Sequence, residues 1–392
     1  MVLLRRTSRS ALAAIAVCAA AALVSADDRE PDRVARVNQA LAQRGAAARD
    51  PQSGYLRPLL DALGVPPESQ LLVFSKTGAQ RTYTGPHTPR ALYFDTSAAV
   101  GYVPGAPAIE IAALDPQQGV LFYTVDQTAT APALTRRTSC LTCHVSAGTR
   151  HLPGLIAHSN TVGEQGQVLP KTANTDVDHR TPHTDRWGGW FVTSEFGAAP
   201  YAQRAHFGNL TFTDRGVTSN QAFVEWLDSA PETRGYLSPL SDVVGLLVFD
   251  HQVHAINLLA KMNAEPRGTI TRGLVHELAE YLLFVGEAPF PVALTPRPEF
   301  ARYLLTRAPK DRLGRSLAEL ELDQRLLRYP CSYMIYSEAF DALPRGVKDA
   351  VYVRMREILS VTEERPGRAR RTAADLRAVL EILADTKPDF GS

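Results

Sequence analysis

Six residues constrain this chain more than any others: Ser139-Cys140-Leu141-Thr142-Cys143-His144, which contain the spacing Cys-x-x-Cys-His. Two thiols separated by two residues can each bond a vinyl carbon of one porphyrin, and the adjacent imidazole is then held within reach of the iron. The spacing predicts covalent attachment of one haem c through Cys140 and Cys143, with His144 as proximal iron ligand. The competing readings are a disulfide and half of a zinc site. A zinc site wants a second Cys or His pair at ligand spacing, and the only later cysteine is Cys331.

The first 26 residues supply an independent context. Arg5, Arg6 and Arg9 form a basic start, Ala11 to Val24 an apolar stretch, and Val24-Ser25-Ala26 a small-residue cleavage site, which together read as an export signal. The apolar stretch is short and alanine-rich, so no transmembrane span is expected after cleavage. Covalent haem attachment takes place on the far side of an energy-transducing membrane, so signal and motif both predict the periplasm of a Gram-negative-type bacterium. Loss of residues 1–26 removes three Arg and no acid, which turns the formal charge of +1 into −2. That balance gives no electrostatic case for nucleic acid as a partner.

Hydrophobic periodicity divides the rest. Residues 31–48 and Tyr55 to Leu63 read as short helices, the second ended by Gly64 and Pro66-Pro67. The runs 71–74, 91–94, 100–103, 109–111 and 120–125 are β-branched or aromatic and separated by turn residues, which predicts a five-strand, largely antiparallel sheet. Asp95-Thr96-Ser97 and Asp115 to Gly119 have the composition of hairpin turns. From Val145 to Leu210 the chain is poor in periodicity, and six of the ten histidines (His144, His151, His158, His179, His183 and His206) fall between 144 and 206. This predicts long loops and a polar pocket around the iron.

From residue 219 the pattern is helical, with helices expected at 220–229, from Ser238-Pro239 to about Met262, and at 272–285, 299–306, 316–328, 347–360 and 372–385. On the second of these, Leu240, Val244, Leu247, His251, His254 and Leu258 share one face. The expected fold class is therefore α+β: an export signal (1–26), an N-terminal helix and antiparallel sheet region (27–134), a loop-rich haem segment (135–235) and a predominantly helical region packed on it (236–392). A single haem needs about a hundred residues of protein around it, so the surplus here calls for a further role as pocket, partner surface or scaffold.

At Cys140 to His144 the chain resembles the c-type cytochrome superfamily. Over Arg90 to Phe94, Arg186 to Trp190 and Arg328 to Tyr336 it also looks like a group of large exported bacterial proteins with a single haem motif. The resemblance implies covalent haem and, for many members, electron transfer. Small members carry the motif near the mature N-terminus and a Met ligand some tens of residues later. Here no Met occurs between 145 and 261, so the sixth iron position falls to a loop histidine (His179 or His206), to His251 or His254, to Met262 or Met334, or stays open. The leading expectation is electron transfer with an unidentified periplasmic redox partner. The alternative is a haem enzyme of peroxidase or oxygenase type, using a distal His179 or His251 and a charge-stabilising Arg180 or Arg186. Cys331 reads as a buried, inert thiol.

Overall fold

The computed structural model describes residues 32–45, 49–170, 175–192, 211–213, 216–218, 235–238, 240–266, 268–290, 293–361 and 367–391. The export segment, the candidate ligand His206 and the helix expected at 220–229 lie outside the described residues.

The expected strands form one sheet in sequential order: β1 (Leu71–Val73), β2 (Arg90–Phe94), β3 (Ala98–Tyr102), β4 (Ala108–Asp115), β5 (Gly119–Asp126) and a short sixth strand, β6 (Thr135–Arg136). Every neighbouring pair is antiparallel. Two aspartates close the hairpins as the sequence suggests. Asp95 Oδ1 accepts from the backbone N–H of Ser97 and Ala98 at 2.8 and 2.6 Å, and Asp115 Oδ1 from those of Gln117 and Gln118, both at 2.8 Å. Such carboxylates replace backbone partners that a tight turn cannot supply.

Because side chains alternate along a strand, the sheet feeds two cores. Tyr93, Val100, Ile109, Ile111, Leu121 and Tyr123 pack with helices α1 (Asp32–Arg44) and α2 (Leu56–Leu63). The intervening residues Phe94, Ala99, Val120 and Phe122 face the helical half. Helix α2 stops at Gly64, which takes the left-handed conformation with φ of 71°, an inexpensive terminator because glycine carries no Cβ.

After the haem motif, on the four-residue helix α3 (Leu141–His144), the helical half is built round α4 (Val243–Ala264). By length and composition α4 would cross a membrane, but 94% of its most apolar window is buried inside the protein. It is the core helix of the fold. It starts later than Ser238-Pro239 suggests. The carbonyls of Ser238 and Leu240 accept from Gln70 Nε2, and Ser241 Oγ joins Leu72 N to the Phe191 carbonyl. That approach strip is therefore tied to the sheet, and Asp242 becomes the cap, accepting from Gly245 N. Around α4 lie α5 (Arg272–Leu282), α6 (Pro298–Leu305), α7 (Glu338–Asp341), α8 (Arg345–Leu359) and α9 (Ala373–Thr386). The last opens on a reciprocal capping box between Thr372 and Asp375. The α+β class is thus as the periodicity indicates.

The helix expected at 316–328 is absent. The segment doubles back on itself, with Glu321 N bonded to the Leu326 carbonyl, Leu322 N to that of Arg325, and Leu322 at φ of 65°. Its apolar spacing still buries Leu317, Leu322, Leu326 and Leu327. Other acceptors outbid the helix for its N–H groups: Glu321, from within the segment, accepts from Asp323, Gln324 and Arg325, while the distant Glu287 takes that of Leu326. Helix propensity is a weak prior against such a network.

Candidate functional site

The haem motif sits where the sheet hands over to the loops. Past β6, Arg137 N donates to the Phe122 carbonyl at 2.7 Å. A 3-10 turn at Thr138–Cys140 then runs directly into α3, so both thiols lie on one short helical stretch. Cys140 is half-buried, Cys143 exposed, and neither is in a disulfide. Burial raises the Cys140 thiol above its ordinary pKa, and the carboxylate of Glu110 adds to this.

His144 is fixed from two sides. Its ring lies 4.5 Å, centroid to centroid, from that of Phe122, and its Nδ1 is 2.8 Å from the Gly154 carbonyl oxygen. A carbonyl only accepts, so Nδ1 carries the proton and Nε2 keeps its lone pair. Gly154 N donates back to the His144 carbonyl at 3.1 Å, closing the pair. Burial depresses the His144 pKa, with the Gly154 carbonyl acting in the other direction. A neutral imidazole whose Nδ1–H is held by a carbonyl is the metal-ligating tautomer.

Arg136 and Arg137, which precede the motif, are held along β5, by Gln118 Oε1 at 3.3 Å and Thr124 Oγ1 at 2.9 Å. Further along, short strands β7 (His158–Ser159) and β8 (Thr175–Asp176) pair, and His158 Nε2 contacts Asp176 Oδ1 at 2.7 Å.

The other candidate histidines form a separate buried cluster beneath this loop. His179 Nδ1 meets His251 Nδ1 at 2.9 Å, and His251 Nε2 meets Ser332 Oγ at 2.6 Å. The His251 ring stacks on Phe284 at 4.3 Å and on Tyr281 at 5.1 Å. Both nitrogens of His251, expected as a candidate iron ligand, therefore have protein partners, Nδ1 in His179 and Nε2 in Ser332. His179 is fully enclosed against Tyr281 and Phe284, and its recorded partners are not those of His144. The structure thus brings His179 and His251 together. Met262 and Met334 are buried in the helical core. Cys331 is also fully buried, and its thiol is pushed far above its usual pKa.

Two charged assemblies flank the histidine pair. Burial works to raise the Asp178 carboxyl, but the Arg180 hydrogen bonds together with the charges of His179, Arg180 and His254 outweigh it and hold the group well below the usual carboxylate range. His254 lies beside this pair, 3.2 Å from Arg180 Nη2. Deeper in, Arg186 donates to the carbonyls of Thr181 and His179 at 2.8 and 2.9 Å. Its third nitrogen, Nη1, faces Asp250 Oδ2 at 3.6 Å. That carboxylate also accepts from Trp187 Nε1 at 2.8 Å. The Arg186-Trp187-Gly188-Gly189-Trp190 segment is thereby an anchored core turn: Trp187 sits at φ of 63°, Trp190 donates to the His158 carbonyl, and a Cβ on Gly189 would meet Ser75 Cβ at 2.7 Å.

Asp178, Asp250, Asn257 and Ser332 are site residues that the sequence does not announce. Asp250 and Asn257 share the face of α4 with His254, at i−4 and i+3, but that spacing is equally a core pattern. Ser332 yields a direct test. Ser332→Ala leaves His251 Nε2 buried without its partner, and the expected loss is about 1–3 kcal/mol in chemical denaturation. An unchanged midpoint would mean that this hydroxyl contributes nothing to holding the imidazole.

Among the described residues, no three His, Cys, Asp or Glu side chains converge to hold a metal ion by themselves. No family model, curated protein or solved structure matches the chain.

Proposed function

We propose that this chain is a c-type cytochrome that binds one covalent haem at Cys140, Cys143 and His144 and passes electrons to a periplasmic redox partner. The observation that carries the reading is the state of His144: Nδ1 held by the Gly154 carbonyl, Nε2 left with its lone pair, and two free thiols on the same turn. These residues fit the group. The thiols are unpaired and the side of α3 bearing Cys143 is open to solvent, as thioether formation requires. Haem so bound supplies a one-electron centre, tuned by its axial ligands and their hydrogen bonds. The protein's own part is to keep His144 neutral and oriented, and to hold Phe122 against its ring.

The peroxidase or oxygenase reading has less support. His179 and His251, its nominated bases, are bonded to each other. Of its nominated cations, Arg180 is held by Asp178, and Arg186 is buried among carbonyls and Asp250.

The test is expression of the full chain, with its export signal, in a bacterium able to mature haem c. The alkaline pyridine spectrum of the reduced protein is expected to show one haem joined through two thioethers, and Cys140→Ser with Cys143→Ser to abolish covalent retention. Haem that washes out in acidified organic solvent, or none at all, would end the proposal. Ready carbon monoxide binding by the reduced protein, together with peroxide turnover, would move the assignment to the enzyme class.

A further inference from the structure

The loop that supplies the carbonyl to His144 is held by its own turns, such as His151 N to the Ser146 carbonyl at 2.7 Å, and by contacts from both halves of the fold. On the sheet side, Val120 N donates to the Pro153 carbonyl at 3.0 Å. On the other side Arg150 pairs with Glu277 of α5, and nearer to Gly154 the loop is met by a side chain from the core helix, Asn257, which is 4% exposed. Its Oδ1 accepts from Leu155 N at 3.0 Å, and its Nδ2 donates to the Leu155 carbonyl at 2.8 Å and towards that of Gly148 at 3.5 Å. A carboxamide pairing with both the N–H and the C=O of one residue acts as a short stretch of partner strand. It fixes the peptide plane between Gly154 and Leu155, and the carbonyl of that plane is the one bonded to His144. The approach is so close that a Cβ on Gly154 would lie 2.4 Å from Asn257 Oδ1 and 2.9 Å from Thr149 Cβ.

We propose that Asn257 is the positioning residue of the proximal ligand: by orienting the Gly154 carbonyl it sets the strength of the His144 Nδ1–H hydrogen bond, and so the electron donation of His144 to the iron. This rests on the haem reading given above. Asn257 never touches the ligand; it acts through Leu155 and Gly154. It also stands on the helix that carries Asp250, His251 and His254, so this amide ties the core helix of the helical half to the peptide that bonds His144. A carbonyl bonded to the far nitrogen of a ligating imidazole raises that ligand's basicity, and a more basic axial ligand favours the ferric state. Loosening the bond should therefore raise the reduction potential.

The experiment uses the haem-loaded full protein and three variants: Asn257→Leu, Asn257→Gln and Gly154→Ala. Covalent haem is first established for each from the pyridine spectrum. Two quantities are then read: the midpoint potential, and the exchange rate with solvent of the His144 Nδ1 proton by NMR. For Asn257→Leu the potential is expected to move positive and exchange to quicken at least about tenfold, the loss of a hydrogen bond near 1.4 kcal/mol. Gly154→Ala displaces the same loop without emptying the amide site, and should shift both readouts in the same direction. Asn257→Gln, which keeps the amide, should recover part of both. If Asn257→Leu does not fold, Gly154→Ala decides alone. A haem-loaded variant with unmoved potential and unmoved exchange overturns the role of Asn257 and leaves the haem reading intact. Absence of thioether haem from the unaltered protein overturns both.

Discussion

Asp250→Ala is expected to destabilise the protein by about 3–5 kcal/mol, the cost typical of removing one partner from a buried ion pair. Asp250 and Arg186 are both almost wholly enclosed, their side chains 3% and 1% exposed. Burial pushes Asp250 up to about 7 against the pull of Arg186, and it drives Arg186 below its usual value. The two shifts agree in cause, since water has been taken from both charges and their attraction at 3.6 Å does not fully replace it. Removing the carboxylate strands the guanidinium and also leaves Trp187 Nε1 without its acceptor. Asp250→Asn keeps an oxygen for Trp187 and should cost less. The double change Asp250→Leu with Arg186→Leu should cost less than the sum of the two single changes, because neither charge is then left alone. Urea denaturation of Asp250→Leu, Arg186→Leu and the double variant measures the coupling; additive losses would mean that the pair is not a unit.

The same pair marks where sequence reasoning works and where it stops. Strand positions, the two hairpin aspartates and most helices follow from alternation, turn chemistry and the 3.6-residue period, because those signals are local. The candidate motif is legible for the same reason: spacing alone nominates Cys140, Cys143 and His144, and the structure sets them on one short helical stretch. The buried histidine cluster is not local. His179 and His251 are 72 residues apart in sequence and look equally fit as ligands or core residues, and only the fold puts their Nδ1 atoms 2.9 Å from each other. Gly154 and Asn257 carry no signal at all until a loop and a helix are brought together. The failed helix at 316–328 has a similar cause in part, since Glu287, 39 residues away, takes the N–H of Leu326.

The stability of the folded chain should pass through a maximum near pH 6.5, because two sets of buried groups pull in opposite directions. Burial lowers His183 and His251 to about 3 and His254 to about 4, and holds His179 well below its ordinary 6.5. Their folded values are depressed, so their neutral forms stabilise the fold above the unfolded value of 6.5, and that contribution is lost as pH falls from there towards 3. The two carboxyls run the other way. Burial raises Asp250 from 3.8 to about 7 and Glu287 from 4.5 to about 8. Their protonated forms therefore stabilise the fold below about pH 4, a contribution lost as pH rises through 7 and 8. Near pH 5 the unfolded chain holds up to four extra histidine protons against two extra carboxyl protons in the folded one. Stability then climbs with pH by on the order of 2–3 kcal/mol per unit. Above about 6.5 the unfolded histidines are less than half protonated, the carboxyl difference outweighs what remains of theirs, and the slope changes sign. Urea midpoints from acid to mildly alkaline pH measure both limbs. Glu287→Gln, which keeps an oxygen for Leu326 N but cannot ionise, should flatten the alkaline one. A monotonic rise through pH 8 would mean that both carboxylates are already charged inside the fold.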